Sequence, residues 1–564
     1  MYADGKVRLD EWSRIWERWV APFLEKWASQ DRQPYPAPAE VAELRTLLQD
    51  LQGEGAPPEG YSWLPEFLAR LAVSLRFNER NFVNVHPCPL IPAVLASTVV
   101  ALQNPNNIVG DVSEATTQME AECIAWMAEE LVGFQPSKAW GSVVSGGTIG
   151  NLTALMVARD YSFRKLSLPK ACCVRTRGLA GLPAGVVLAT AGCHYSVSKA
   201  LWVLGMGDEN LTRIPVAFDE AVARRVRRDE SWTKGISKRE WRAPIQQWLK
   251  TDKDRGREEL RRFYNGEQQP FSLQPLNSEV YKALYACFEY GTPLIAYVFT
   301  IGTTDTGTIE EPDQEALIRL REEDVFVHAD IASAGFALQH DRVKKRVDGL
   351  SHVHSCVIDG HKLGQLHYPN STVLFRERSW MYEILHEAPY LKDLAPTLEG
   401  SRPGSNVAAL WAAIEGTGKT GGYVALVDRL FHFVDALCSA FEASGSFQVL
   451  HRVDLTTVAV APLPRPGERR IDVNWLVTRM HEAIVDDRNP GAFLVNLDRE
   501  LAGIQVRDSN RYRGPLEEDE DPLVSIRCLR IVVCHPAVEP RTAGELVAYL
   551  ERVLGEARAR RSRR

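Results

Sequence analysis

SCVIDGHKLG, residues 355–364, is the stretch from which the fold of this chain can be read. Its apolar run ends at Asp359, turns on Gly360, and presents His361 and Lys362 immediately beyond. Short runs rich in Val and Ile and bounded by turn residues mark strands buried on both faces. Working outward, VFVHADIASAG (325–335), STVLFR (371–376), PLIAYVFT (293–300) and GVVLATA (185–191) have the same texture. Between them lie helical stretches such as PDQEALIRLRE (312–322), where Pro312 suits a first helical turn. Strand and helix in alternation specify an α/β fold with a mostly parallel central sheet covered on both faces. Such a sheet takes its ligand at the carboxyl ends of the strands, and Lys362 stands at one of them.

The flanks read differently. At 564 residues the chain is too long for one compact core, and a domain size of roughly 100–200 residues gives two or three units. Residues 1–85 form a helical arm, with Val41, Leu44, Leu48 and Leu51 in one apolar stripe and the Pro-rich DRQPYPAPAE (31–40) dividing it. The arm has no core of its own in this reading and packs on the body or on a partner. Residues 86–395 form the large α/β domain, interrupted at 219–272 by a charge-dense insertion whose Trp241 and Trp248 suit a docking helix. Residues 396–564 form a small C-terminal α/β domain: helices from VAALWAAI onward, strands at TTVAVAPL and LRIVVCHP, and a last helix at TAGELVAYLERVL. The acidic EEDED (517–521) reads as a solvated loop, and the Arg-rich C-terminus as a solubilising tail.

Composition narrows the partners. A net charge of -7 gives no general attraction for nucleic acid or an anionic membrane, which leaves a small molecule. No segment has the roughly 18 consecutive apolar residues of a membrane span, and MYADGKVRLDEW lacks the layout of a signal peptide. A cytoplasmic protein is expected. The ten cysteines show no CxxC pair and no zinc-ligand spacing, and Cys172–Cys173 are adjacent, so reduced thiols and no metal are expected.

Four features carry chemistry. Lys362 at a strand end offers the amine that an aldehyde cofactor needs. Asp330, 32 positions earlier at the end of another apolar run, could hold a pyridine nitrogen in its protonated form by its charge or could equally cap the next helix. Ser145, Gly146, Gly147 and Thr148 make a glycine-rich turn before a helix, where backbone N–H groups converge on a spot suited to phosphate. The stretch matches neither GxGxxG nor a nucleotide P-loop, whose lysine is missing. His194, after GVVLATA, is placed to lie on a cofactor ring and move protons near neutral pH.

In chain order, SGGT, HYSxxKA, GTTDTG, HADIA and DGHKLG resemble the group II pyridoxal 5'-phosphate (PLP)-dependent amino-acid decarboxylases, over about Asn81 to Pro536 and more weakly in 205–285 and 465–525. DGHKLG with Tyr368 six positions after the lysine, then APYL, LEGSRPG and AALWAAI, is similar to the bacterial tyrosine decarboxylase branch. The resemblance implies the type I fold of PLP enzymes and a homodimer with active sites near the subunit interface. By position it implies Lys362 as the Schiff-base lysine, Asp330 as partner of the ring nitrogen and His194 as the stacking histidine. Gly146, Gly147, Thr148, Asp359 and His361 fall at the phosphate or its surroundings, and Thr303 beside the ring. Ser401 and Arg402 fall in a loop that completes the partner's site, with Arg402 and His86 on the substrate side. The implied reaction is decarboxylation of an L-amino acid, aromatic ones such as tyrosine included, to the amine and carbon dioxide.

Two departures keep other outcomes open. HPCPLIPAV (86–94) supplies no aromatic ring to line an aromatic pocket, and LKDLAPTLEGSRPG (391–404) lacks the tyrosine that returns a proton in many relatives. Tyr368 or Tyr390 stands as a substitute. An aldehyde-forming oxidative reaction, a retro-aldol cleavage like that of sphingosine-phosphate lyases, and an inactive regulatory homologue are the alternatives.

Overall fold

The computed structural model describes residues 9–29, 36–58, 60–74, 78–83, 85, 88–108, 110–165, 174–190, 192–214, 216–217, 274–275, 280, 283, 287, 292–384, 397–466, 468, 470–486, 494–498 and 527–562. The insertion at 219–272 with its two tryptophans, the acidic 517–521 patch, Cys172–Cys173, His86 and Tyr390 lie outside them.

The arm comprises α1 (Leu9–Ile15), α2 (Ala21–Ser29), α3 (Pro38–Gly53) and α4 (Leu64–Leu71). Contrary to expectation it has a core of its own. Ile15, Trp19 and Phe23 meet Leu44, Leu48, Leu51, Leu64 and Leu68 in one buried cluster. Leu44, Leu48 and Leu51 recur at helical spacing, and the Trp and Phe of the first helices supply the opposing surface. The arm ends in β1 (Asn81–Phe82), after which come α5 (Ile91–Gln103) and α6 (Glu114–Trp126).

The large domain is built on β2 (Trp140–Val144), β3 (Val186–Thr190), β4 (Leu211–Ile214), β7 (Leu294–Thr300), β8 (Phe326–Asp330), β9 (Ser355–Asp359) and β10 (Ser371–Phe375), with a short β5–β6 pair (Val216–Ala217, Gln274–Pro275) between β4 and β7. They form one seven-stranded sheet in the order β2-β10-β9-β8-β7-β3-β4. Strands β4, β3, β7, β8 and β9 run parallel, and β10 alone is antiparallel to both its neighbours. Alternate residues face opposite ways. Leu188, Tyr297, Phe299, Val327 and Ile358 enter one core, and Val187, Ala189, Val298, Phe326, Val357 and Val373 the other. α7 (Gly147–Lys165) lies across β7 to β10 on the second face. Its closeness depends on Gly150, where a Cβ would come within 1.9 Å of Val357 Cγ2. α8 (Tyr195–Val203) follows β3, and α9 (Gln314–Glu322) precedes β8. The start of α9 differs from the sequence expectation: Asp313 caps it by accepting from Glu315 N, so Pro312 lies outside the first turn.

α10 (Gly404–Thr417) and α11 (Lys419–Ser444) lead to a second sheet of β11 (Phe447–Val449), β12 (Thr457–Pro462), β13 (Leu494–Asp498) and β14 (Cys528–Val532), with α12 (Arg470–Asp486) and α13 (Pro540–Ser562) packed on it. Its order is β1-β13-β14-β12-β11, so the arm's last strand is an edge of the C-terminal sheet. Arg530 donates to Thr304 O, Asp454 Oδ2 accepts from Ile309 N at 3.0 Å, and Gln365 donates to Cys534 O. These bonds clamp the small domain against the loops that follow β7 and β9. Among the described residues no helix is long and apolar enough to cross a membrane, no group of His, Cys, Asp and Glu could hold a metal ion, and the cysteines are free thiols.

Candidate active site

The carboxyl ends of β3, β7, β8 and β9 lie along one edge because these strands are parallel. β2 is antiparallel to β10, which is antiparallel to β9, so β2 ends on that edge too. Residues far apart in the chain, near 145, 194, 303, 330 and 362, are therefore delivered to one side of the sheet. Asp330 and Asp359 also share a face, since β8 and β9 place Phe326, His328 and Asp330, and Val357 and Asp359, toward α7.

Lys362 is held at the turn after β9. Its Nζ lies 3.0 Å from Asp359 Oδ2 and 3.3 Å from Ser333 Oγ. Asp359 is buried and also accepts from Ser371 Oγ at 2.5 Å, with His361 Nε2 at 3.4 Å. Burial would raise its pKa, but the Lys362 ammonium, His361 and the Ser371 hydroxyl outweigh that and hold the carboxyl well below the usual range. The start of α7 sits directly against this carboxylate: a Cβ on Gly147 would stand 2.8 Å from Asp359 Oδ1. At Gly146 a Cβ would meet nothing within 4 Å, so open space lies over the first turn, with Thr148 half-buried behind it.

Asp330 is buried and accepts on both oxygens, from Asn151 Nδ2 at 2.8 Å and from Ala332 N at 3.1 Å. The second bond is a local turn and not the helix cap that the alternative anticipated, since the next helical turn, Gly335–Ala337, is entered from Ala334. His194 is the cap residue of α8; its Nδ1 lies 2.9 Å from Ser196 Oγ and accepts from Ser196 N at 3.3 Å. Burial lowers its pKa, opposed by Asp330, while Lys362 adds to the lowering and Asp359 opposes it. The charges of all three groups act on this one imidazole, so they lie near it on the same edge of the sheet. Thr303 is buried beside it: a Cβ on Gly192 would approach Thr303 Cγ2 to 2.8 Å, and the threonine hydroxyl is spent on the turn, accepting from Thr308 N at 3.0 Å.

His361 does not open into that space with both nitrogens. Nδ1 accepts from Asn370 N at 3.2 Å and Nε2 faces Asp359, while the ring lies 4.0 Å from that of Tyr368. Tyr368 is half-exposed; burial first, and Asp359 second, push its phenol up to about 12. Arg402 departs from its expected place on the substrate side. Its guanidinium turns inward to both oxygens of Glu120 and to the carbonyls of Val143 (3.0 Å) and Asn107 (2.7 Å), because a buried arginine requires a charge partner. Ser401 is at the surface, bonded to Asn106 at 3.0 Å. Sequence reasoning missed Asn151, Ser196, His328 and Ser333. The available signal was His328, a polar residue inside an apolar strand and on the same face as Asp330.

The residues present fit PLP: a lysine amine held at a strand end, a buried carboxylate acceptor, an imidazole on which the charges of both act, and a helix N-terminus with open space at Gly146. Residues 272–461 match the pyridoxal-dependent decarboxylase conserved domain. The chain is 23% identical over 443 residues to the L-tyrosine decarboxylase of Enterococcus faecium, covering 69% of this chain and 66% of that enzyme, just under two thirds of its length. It is 24% identical to the aspartate 1-decarboxylase of Aliivibrio fischeri, covering 78% and 76%. The crystal structure of the glutamate decarboxylase domain of a diaminobutyrate-pyruvate transaminase and L-2,4-diaminobutyrate decarboxylase from Vibrio parahaemolyticus superimposes with a TM-score of 0.70 at 16% identity, over 98% of this chain and 97% of that one. Fold and matched domain agree: residues 272–461 carry the pyridoxal-dependent decarboxylase conserved domain, and the whole chain has the fold of the Vibrio decarboxylase domain.

Proposed function

We propose that this protein is a PLP-dependent carboxy-lyase that converts an L-amino acid to its amine and carbon dioxide. The observation that carries the reading is the meeting of Lys362, Asp330 and His194 at one edge of the sheet, beside the open N-terminus of α7. In this proposal Lys362 holds the aldehyde, Asp330 the ring nitrogen, His194 the ring face with Thr303 beside it, and Gly146, Gly147 and Thr148 the phosphate, with Asp359 and His361 behind. When bound, PLP supplies an aldehyde for the substrate's amine and a ring that accepts the electrons released with carbon dioxide.

The protein's own groups do the rest. Asp359 and Ser333 fix the Lys362 side chain so that its amine points into the space beyond β9. Each oxygen of Asp330 receives an N–H group, which sets the plane of the carboxylate. Tyr368, kept protonated across the neutral range, can return a proton from its Oη, and this favours the amine over the aldehyde. An aromatic substrate such as tyrosine is supported by the DGHKLG and Tyr368 motif and by the Enterococcus relative. The Aliivibrio relative is named for aspartate, so a test must span both chemistries. The protein is further proposed to act in the cytoplasm as a homodimer, with Ser401 near the partner's site.

The test is to incubate PLP-loaded protein with a panel of aromatic, acidic and basic amino acids while measuring carbon dioxide and the organic product. Carbon dioxide with a stoichiometric amine is expected. An aldehyde product would favour the oxidative alternative, and no carbon dioxide with any amino acid would reject the reading.

A further inference from the structure

Resting on the reading above, the geometry points to Asn151 as the positioning residue of this site: one amide in the early turns of α7 orients both the carboxylate meant for the ring nitrogen and the imidazole meant for the ring face. Asn151 is 1% exposed, and nothing in its sequence context, GTIGNLTA, announces a role. Its Nδ2 donates to Asp330 Oδ2 and to Ser196 Oγ, both at 2.8 Å, and its Oδ1 lies 2.8 Å from His328 Nε2.

The orientation of this amide is not free. Turned half way round, it would set a carbonyl oxygen against the Asp330 carboxylate, two acceptors with no proton between them. With the amide fixed, the other protons follow in sequence. Oδ1 can only accept, so His328 carries its proton on Nε2 and receives one at Nδ1 from Ser355 Oγ, 2.7 Å away. His328 is fully buried, and desolvation pushes it down to about 4, so the ring is neutral near neutral pH. On the other branch, Ser196 Oγ receives the second amide hydrogen and has its own left for His194 Nδ1, at 2.9 Å. Nδ1 is also the acceptor of Ser196 N–H, so neutral His194 keeps its proton on Nε2.

Ser355, His328, Asn151, Ser196 and His194 thus form one directed chain from β9 through β8 and α7 to α8, and Asp330 is its branch. The chain holds one Asp330 oxygen while Ala332 N holds the other, and it gives His194 a single tautomer. The charged and titratable groups that act on His194 are Asp330, Lys362 and Asp359. Those that sense Asp330 are His194, His328, Cys193 and Glu310. Asn151 touches both residues without titrating itself, which suits it to coupling them.

The test uses full-length apoprotein: PLP affinity by equilibrium titration, visible circular dichroism of the bound cofactor as a report on how its ring is seated, and the unfolding midpoint of each variant. Asn151→Ala should weaken PLP binding by about tenfold or more, the scale of one lost hydrogen bond to a carboxylate, and should collapse the visible dichroism per bound cofactor. Ser196→Ala cuts only the His194 branch; it should leave affinity within about threefold yet alter the dichroism. In the double variant the loss should not exceed that of Asn151→Ala, because the amide reaches His194 through the serine and its loss already cuts both branches. Folded Asn151→Ala with wild-type affinity and dichroism, or fully additive effects in the double variant, would overturn the role of Asn151 alone. Should Asn151→Ala not fold, an unchanged spectrum in Ser196→Ala does the same. Wild-type protein that binds no PLP would instead overturn the functional reading beneath it.

Discussion

Lys362 is the residue on which the proposed chemistry turns, and its surroundings say why a substitute should fail. Its amine is the nitrogen that Asp359 and Ser333 hold beyond β9. Lys362→Ala should abolish turnover while leaving the fold, since the side chain is part-exposed and its loss leaves Asp359 with Ser371 and His361; full activity in that variant would refute the assignment. Asp330→Ala should lower kcat by a hundredfold or more, about 3 kcal/mol, on the scale of a preorganised electrostatic group. His328 yields a prediction about stability. A histidine in the unfolded chain takes its proton near 6.5, whereas burial delays His328 to about 4. Across that window the unfolded state binds more protons, so the contribution is complete above about 6.5 and is lost as pH falls toward 4, on the order of 3 kcal/mol. Urea unfolding across this range should show the slope in wild type and a flatter one in His328→Gln; identical slopes would place the acid sensitivity elsewhere.

Among the elements, α7 does most to build the site, and its glycines are where backbone meets strand. A Cβ at position 150 would stand 1.9 Å from Val357 Cγ2, too close for the helix to keep its seat on β9. Gly150→Ala should cost about 1–3 kcal/mol, as overpacked cores do, and Val357→Ala should recover part of it in the double variant. Chemical denaturation measures both, and strict additivity would show that the clash is relieved another way. The strands themselves were legible in the sequence because parallel strands buried on both faces leave unbroken Val, Ile and Phe runs, and their ends gave Asp330, Lys362 and His194. The amide hub was not legible. Asn151 sits four residues after Gly147 in an ordinary helical pattern, and its partners Ser196 and His328 lie on other elements, so only the packing of α7 on the sheet brings them together. The arm's core was missed for a related reason: Trp19 and Phe23 are far in sequence from the leucine stripe they cover. Arg402 was misplaced because nothing local shows that Glu120 is its partner.

At the scale of the whole molecule, one face of α5 has no occupant among the described residues. α5 packs on α10, so closely that a Cβ on Gly416 would meet Pro92 at 2.9 Å. Its opposite side presents Ile91, Val94, Leu95, Val99 and Leu102 to solvent, Ile91 at 81% and Leu95 at 63% exposure. Apolar residues recurring at helical spacing on an outer face are a surface that water disfavours, by roughly 25 cal/mol for each Å² left uncovered. The loop carrying Ser401 leads directly into α10, so a second copy seated on α5 would lie next to the residues proposed to complete its site. The homodimer proposed for this protein should therefore use this face. A stable pair buries about 800 Å² on each partner, with a few apolar anchors carrying most of the affinity, so two lysines at the centre should be enough to separate it. Sedimentation of wild-type protein should give a dimer, and Leu95→Lys with Val99→Lys a folded monomer that turns over slowly because each site lacks its neighbour's loop. A dimer unmoved by both lysines would put the interface elsewhere, and a fully active monomer would show that one chain holds the complete site.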